Sequence, residues 1–253
     1  MSILTILGHV EVAICVAALC FIVFKRQWSD YWALGSFLAV RVVSSIFLDL
    51  LMHSVHRLNP HTAYHIYFYV YWAAFATESI LALFIVYGIF RGTLAPLKGL
   101  QRLGMPIFTV VGAISVAVAL ASAFAPHTSG TKFVVAGLSQ LQRTQSVLTL
   151  GLLVFVGFAI RPMGLSFRSK IFGVSLGLGL MATNDMVASV WLASNPYMAR
   201  AYSLINGVVI CTILVIWTAY FALPEPRRRE ISLPATSPFL RWNKMCLAWT
   251  EVI

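Results

Sequence analysis

The apolar positions of this chain fall into seven long stretches, separated by short segments that hold most of the charged residues. A helix needs about 20 mostly apolar residues to cross the hydrocarbon core of a bilayer. Lipid offers the backbone no water to bond, so spans of this length must be helical. The pattern predicts an all-α membrane protein, a bundle of seven transmembrane helices near residues 3–24, 31–52, 64–90, 105–125, 133–160, 171–193 and 199–222.

Lysine and arginine are distributed unevenly between the two sides of these spans. One side has thirteen, namely Lys25, Arg26, Arg91, Lys98, Arg102, Arg161, Arg168, Lys170, Arg227, Arg228, Arg229, Arg241 and Lys244, and the other has three, namely Arg57, Lys132 and Arg200. Because cytoplasmic loops are enriched in basic residues, we expect a multi-pass protein of the cytoplasmic (inner) membrane, with its amino terminus outside and its carboxy terminus in the cytoplasm. This bias accounts for most of the net charge of +10, so the charge indicates no nucleic-acid partner.

The composition excludes an ordinary soluble domain. Sixty per cent of the residues are hydrophobic, 10% are charged, and the mean hydropathy is +0.86. Basic residues follow the first apolar stretch rather than precede it, so we expect a retained helix and not a cleaved signal peptide. None of the four cysteines lies in a predicted outer loop, so no disulfide framework is indicated.

Tryptophan and glycine positions add two expectations about the spans. Trp28, Trp32 and Trp217 are predicted to lie at the inner membrane interface, where amphipathic rings collect. Gly173 and Gly177 form a GxxxG pattern in the sixth span, which predicts close packing of helices inside the bundle.

The end of the chain is predicted to be a separate element. The transmembrane domain would occupy 1–223 and a cytoplasmic tail 224–253. Ser237 and Pro238 are residue types that start helices. After them, apolar residues recur at three- and four-residue spacing: Phe239, Trp242, Cys246, Trp249 and Ile253. This predicts an amphipathic helix over 239–253 on the inner leaflet, with Trp242 and Trp249 facing lipid.

Charged side chains inside the spans are the strongest functional signal, because burial in lipid is costly and such residues usually mark a function. Arg41 and Glu78 both fall near the bilayer midplane on consecutive helices, so we expect an ion pair between them. Two interpretations of this pair stay open: a lock that holds the bundle together, or part of a ligand site. The polar residues occupy the middle and outer half of the spans, which predicts a cavity open to the outside.

The predicted pocket is formed by the first, second, third, fifth and sixth spans. Its candidate residues are Glu11, Arg41, Asp49, Glu78, Gln140, Arg143, Asn184 and Asp185. Gln140 and Arg143 belong to the polar run 139–146, whose alternative interpretation is an extension of the fifth helix beyond the lipid. Four acids against two arginines would leave two negative charges uncompensated. Such a site binds a small cationic or amine-bearing ligand, binds a metal, or takes up protons with no ligand at all.

All six histidines lie on or near the predicted outer side. His53 and His56, and likewise His61 and His65, have the spacing of metal ligands on a helix. With His9 these four are the candidate metal ligands, although no HExxH signature is present. Interfacial histidines that hold no metal are the alternative interpretation.

Three short segments relate the chain to a known class. They are VEVAI at 10–14, Tyr71-Trp72, and Arg143 followed from Gln145 by an apolar run. Through them, and mainly over the first, third and fifth helices, the chain resembles uncharacterised bacterial seven-helix integral membrane proteins. The resemblance implies no activity. Seven-helix receptor signatures are missing, and 199–222 has no lysine that could hold retinal as in microbial rhodopsins.

The leading functional hypothesis is therefore a non-enzymatic sensor or carrier-like module whose ligand enters the pocket from outside. One alternative is a structural subunit of a larger complex, with the tail docking on a membrane-protein partner. The other is a membrane metalloenzyme that uses the outer histidines. The midplane regions of the second, third and sixth spans contain no proline, and the absence of broken helices favours sensing over transport. The sequence leaves any cofactor unknown.

Overall fold

The computed structural model describes residues 3–54, 60–123, 131–159, 166–194, 199–224 and 238–251. All regular structure in these ranges is α-helical. The helices are α1 (Ile3–Phe24), α2 (Trp32–Ser54), α3 (Pro60–Leu94), α4 (Lys98–Ala123), α5 (Thr131–Ala159), α6 (Lys170–Ser194), α7 (Ala199–Ala222) and α8 (Pro238–Glu251). The first seven overlap the seven apolar stretches. α3 extends beyond its predicted bounds at both ends, and α4 begins seven residues before the predicted start at 105.

Five helices in the described part of the chain contain segments long and apolar enough to cross a membrane: Ile3–Phe24, Trp32–His53, Thr62–Leu94, Lys170–Ala188 and Ala201–Ala222. The predicted spans 105–125 and 133–160 lie partly outside the described side chains, and in the latter the apolar segment Gln145–Phe158 is described. Large apolar side chains such as Val43, Leu50 and Phe158 are exposed on the bundle surface, as expected where lipid replaces water. The protein is a bundle of apolar helices suited to a membrane, and the seven-span count and its orientation stay predictions.

Six of the helices form a ring. α1 contacts α2 and α7, α2 contacts α3, α3 contacts α5 and α6, and α6 contacts α5 and α7. α4 packs outside this ring on α3 and α5. The main hydrophobic core is built from Cys15, Ala18, Ile22, Ala33, Leu34, Phe37, Leu38, Leu81, Ile85, Val86, Ile89, Leu152, Val156, Val174, Leu178, Ile213, Leu214, Trp217 and Phe221. These residues lie in one half of the ring, the half that contains the carboxyl ends of α1, α3 and α7 and the amino ends of α2 and α6. The polar side chains of the spans lie in the other half.

The GxxxG pattern of α6 is an internal contact, as predicted. Gly173 lies against the ring of Tyr220 and Gly177 against the indole of Trp217, and a Cβ at either glycine would overlap these α7 side chains. Contrary to expectation, Trp217 does not present its ring to a membrane interface. Its side chain is 1% exposed and packs edge-on against Phe37, with ring centroids 6.1 Å apart. The missing side chain at Gly177 provides the space that the indole fills, so Trp217 belongs to the core.

The carboxyl end of α1 is fixed to that of α7. The N–H of Gln27 donates to the carbonyl of Ile22 at 3.0 Å, and Arg26 has a φ of 52°, in the left-handed region. This is the geometry of a Schellman turn, in which glycine is the usual residue. The ammonium group of Lys25 donates to the carbonyl of Ala222 in the last turn of α7. A cation at that end of a helix is favoured by the helix dipole.

The predicted tail helix is present as α8, and residues 252–253 lie outside the described residues. It packs on α4, and Leu240 contacts Leu94 and Leu97 at the turn between α3 and α4. The tail therefore docks on protein, which its sequence pattern did not predict. Trp242 is exposed, in line with its predicted contact with lipid, and the side chain of Trp249 lies outside the described set.

Candidate ligand-binding cavity

Arg41 binds two acids at once. Its Nε donates to Oε1 of Glu11 at 2.6 Å, and its Nη1 donates to Oε2 of Glu78 at 3.0 Å. The arginine side chain is 14% exposed, and those of Glu11 and Glu78 are 19% and 16% exposed. The predicted pair of Arg41 and Glu78 is confirmed. Glu11 is a further partner that the sequence indicated only as a pocket residue, and the resulting triad joins α1, α2 and α3.

The triad lies where the hydrophobic core ends. Glu11 precedes the buried Cys15 by four residues, and Arg41 follows the buried Phe37 by four. Glu78 precedes the buried Leu81 and Ala82 of α3 by three and four residues. Residues four apart share one face of a helix, so each charge continues the core-facing side of its own helix by one turn. Packing of the core thus directs the three charges towards one another, where each is compensated.

Beyond the triad, on the side away from the core, the ring encloses a cavity of about 480 Å³ to which all six ring helices contribute. Its polar lining consists of Glu11, Arg41, Ser44, Ser45, Tyr71, Glu78, Ser79, Gln142, Gln145, Asp185, Tyr202 and Asn206. Trp72 and Phe75 add aromatic surface from α3. Pockets for small molecules typically measure about 300–1,000 Å³, and they combine apolar walls with a few polar groups.

Asp185 on α6 is the third acid of the cavity. The side chain of Gln142 on α5 interacts with its carboxyl group. Among the described side chains, no lysine or arginine lies within ion-pair distance of Asp185. The described lining therefore holds three carboxyl groups and one guanidinium, a formal charge of −3 + 1 = −2 when all are ionised.

An amide network beside Asp185 ties α6 to α7. The Nδ2 of Asn184 donates to Oδ1 of Asn206 at 2.6 Å and to the hydroxyl of Tyr202 at 3.2 Å. Tyr202 and Asn206 line the cavity, whereas Asn184 does not. Asn184 therefore acts as a positioning residue, which holds two polar side chains of α7 beside the carboxyl group of Asp185.

The structure brings together only part of the predicted set. The predicted residues that line the cavity are Glu11, Arg41, Glu78 and Asp185. Asp49 is not among the lining residues: its side chain is 48% exposed and lies 3.7 Å from the Nδ1 of His53 on the same helix. The side chains of Gln140 and Arg143 lie outside the described residues.

Several cavity residues were missed by the sequence reasoning, namely Tyr71, Trp72, Gln142, Gln145, Tyr202 and Asn206. The sequence contained a pattern that could have identified the two glutamines on α5. Leu152 is apolar and buried, and steps of three and four residues back along the same face reach Thr149, Gln145 and Gln142. Extrapolation of the buried face of α5 therefore selects these two glutamines from the polar run 139–146.

The described histidines do not gather around the cavity. His9 and His53 each donate Nδ1 to the backbone carbonyl four residues earlier, at 2.7 and 2.9 Å. His65 lies against the rings of neighbouring tyrosines on α3. Within the described ranges, no three histidine, cysteine, aspartate or glutamate side chains are grouped to hold a metal ion, and His56 and the side chain of His61 fall outside those ranges.

No protein-family model, curated protein or solved structure matches this chain. The resemblance to bacterial seven-helix proteins therefore stays a prediction, and any inference about function rests on the cavity.

Proposed function

We propose that this protein is a multi-pass protein of the cytoplasmic membrane that binds a small organic cation in the cavity of its helix ring. It would act as a non-enzymatic sensor or carrier-like module, with the amino terminus outside and the cavity open to the outside. The distribution of basic residues supports this orientation. The observation that carries the proposal is the excess of carboxyl groups over cations among the described residues of the cavity lining.

The triad leaves one acid available for a ligand. Arg41 is committed to Glu11 and Glu78, so its charge is already shared between two carboxylates. Asp185 has an amide partner rather than a cation among the described residues. A carboxylate in surroundings of low dielectric attracts a cation strongly, because solvent does not screen it. Asp185 is therefore the proposed anchor for the positive group of the ligand.

The aromatic walls favour an organic cation over a bare metal ion. Tyr71, Trp72 and Phe75 line the α3 side of the cavity, and Tyr202 lines the α7 side. The faces of such rings attract ammonium groups, and desolvation raises the strength of this attraction to about 2 kcal/mol. Hard metal ions instead require about six or more oxygen ligands at close range. An amine with a short apolar body matches both the charge and the rings.

Apolar residues close the end of the cavity next to the hydrophobic core, which favours sensing of a ligand over its transport through the ring. Phe37, Met181 and Ile210 line the cavity next to Arg41, and the same residues border the buried Trp217 and Leu214. Below them the hydrophobic core fills the ring. A ligand held above these apolar residues would report its presence through the helices that it contacts, notably α6 and α7, which share the Asn184 network.

A thermal-shift measurement on the purified protein in mild detergent tests the proposal. The probes are choline, ethanolamine and putrescine, each compared with a neutral analogue such as 3,3-dimethylbutan-1-ol for choline. A ligand that binds only the folded state stabilises it by about 2.7 kcal/mol at a concentration of 100 Kd. We expect at least one amine to raise the melting temperature and its neutral analogue to leave it unchanged.

Two matched variants locate the response. Asp185→Asn should abolish the amine-dependent shift, because it removes the proposed anchor and keeps the amide geometry near Gln142. Asp49→Asn removes an acid that is exposed and outside the cavity, so it should respond as the wild type does. Equal shifts with amines and neutral analogues, no shift with any amine, or an undiminished shift in Asp185→Asn would each contradict the proposal.

A further inference from the structure

The helix α8 caps the start of α4 through a side chain. Oδ1 of Asn243 accepts hydrogen bonds from the backbone N–H groups of Gly99 and Leu100, at 2.8 and 3.3 Å. These N–H groups belong to the first turn of α4, where the donors have no partner within the helix. A side chain distant in sequence thus performs the task that a local capping residue usually performs.

The backbones of α8 and α4 approach closely at this point. A Cβ at Gly99 would overlap the carbonyl oxygen of Asn243 and lie 2.9 Å from Cγ of Leu247. Cys246 is buried, and Leu240 packs on the turn between α3 and α4. One face of α8 is therefore committed to protein.

The other face of α8 is apolar and uncovered. Trp242 and Met245 are three residues apart, so they share a face, and they are 61% and 52% exposed. Arg241 and Lys244 flank them and are exposed as well. Exposed aromatic and apolar residues flanked by basic residues are typical of helices that lie in a membrane interface.

The position of α8 matches that interface. The membrane-spanning candidate in α3 ends at Leu94, and α8 contacts Leu94 and Leu97 immediately at its end. Lys98 and Arg102, on the first turns of α4, are exposed at the same level. This concentration of cations complements the anionic headgroups of a bilayer.

We propose that α8 is a membrane-surface helix clamped to α4 by Asn243, and that Trp242 and Met245 insert into an anionic lipid leaflet. The Asn243 clamp holds the helix at the depth where its apolar face meets the acyl boundary. This surface is separate from the cavity, so the inference is independent of any ligand that binds there.

Nitroxide labels on the full chain test the proposal. On a background with the native cysteines replaced, Met245→Cys and Lys244→Cys provide neighbouring positions that differ by about 100° around the helix. The protein is placed in nanodiscs of phosphatidylcholine, with or without phosphatidylserine, and the label is exposed to oxygen or to a water-soluble nickel complex. We expect the label at 245 to be more accessible to oxygen, and less accessible to nickel, than the label at 244. This difference between the two labels should be larger in nanodiscs that contain phosphatidylserine.

Two results would overturn the lipid contact. One is equal access of nickel to both labels in every nanodisc. The other is protection of the label at 245 in native membranes only, since this would mean that a protein partner covers the face. Asn243→Leu tests the clamp separately: amide hydrogen exchange at Gly99 and Leu100 should accelerate about three- to ten-fold, as expected for loss of a cap. Unchanged exchange there would show that Asn243 does not clamp the helix.

Discussion

Single replacements of the three charged residues of the triad should lower the free energy of unfolding by different amounts. With Arg41, Glu11 and Glu78 all ionised, the triad carries −2 + 1 = −1. Arg41→Gln leaves two carboxylates with no cation between them, a charge of −2. Glu11→Gln or Glu78→Gln leaves one pair with a charge of zero. The arginine variant should therefore be the most damaging, although all three changes remove one charge.

The burial of the triad sets the magnitude. All three side chains are less than one-fifth exposed, so solvent offers little relief to an unpaired carboxylate. Loss of one partner from a buried ionic pair costs about 3–5 kcal/mol when a charge is left behind. Loss of a single charge-assisted hydrogen bond costs about 1.5–3 kcal/mol. For a chain of this size 1 kcal/mol corresponds to about 2–4 °C, so Arg41→Gln should lower the melting temperature on the order of 10 °C.

Thermal unfolding in mild detergent, followed by tryptophan fluorescence, measures the series. Asp49→Asn is the matched control, because it removes a carboxylate from the exposed face of α2, and it should stay within about 0.5 kcal/mol of the wild type. The triple variant with Arg41→Met and both acids changed to Gln should recover much of the loss, since it leaves no buried charge. An Arg41→Gln protein that is no less stable than either glutamate variant would show that Arg41 does not compensate both acids.

Three further outcomes follow from the fold. Gly177→Ala should destabilise the protein by about 1–3 kcal/mol because its Cβ would overlap Trp217, whereas Gly151→Ala, with nothing within 4 Å of its Cβ, should be neutral or stabilising in the same melting assay. Arg26→Gly should raise stability by about 0.5–1 kcal/mol, because glycine adopts the left-handed φ of 52° without strain, and a lowered melting temperature would count against the Schellman turn. In intact cells, an impermeant thiol reagent should label a cysteine placed at Ser2 but not one placed at Thr236, and the reverse pattern would invert the proposed topology.

Hydropathy located the helices but not their full extent. α3 begins at Pro60, four residues before its predicted start, because the polar residues of its first turn are helical without being apolar. Proline is well suited to the first turn of a helix, where its missing N–H is not needed. A hydropathy pattern identifies only the apolar, lipid-facing part of a helix. It does not identify polar turns that extend the helix beyond the lipid.

Chain order could predict both ion pairs of the triad. Arg41 and Glu78 lie on consecutive helices, and so do Glu11 and Arg41, so each pair is expected to be close. Chain order does not predict that one guanidinium binds both acids, because this requires the core to bring α1 and α3 to the same level beside α2. The tail illustrates the same limit. From the sequence, Asn243 lies among the polar residues of α8 and would be expected to face solvent. Only the fold brings its side chain to the N–H groups at the start of α4.

The contact between Glu11 and Arg41 has a consequence for the order in which the protein is synthesised and inserted. A single charge at the centre of a helix raises the free energy of insertion through the translocon by about 3 kcal/mol. α1 and α2 leave the ribosome before α3, and they carry opposite charges that meet at 2.6 Å. They can therefore enter the bilayer as a neutral hairpin, before Glu78 has been translated. The hydrogen bond from Lys25 to the carbonyl of Ala222, in contrast, forms only after α7 has emerged.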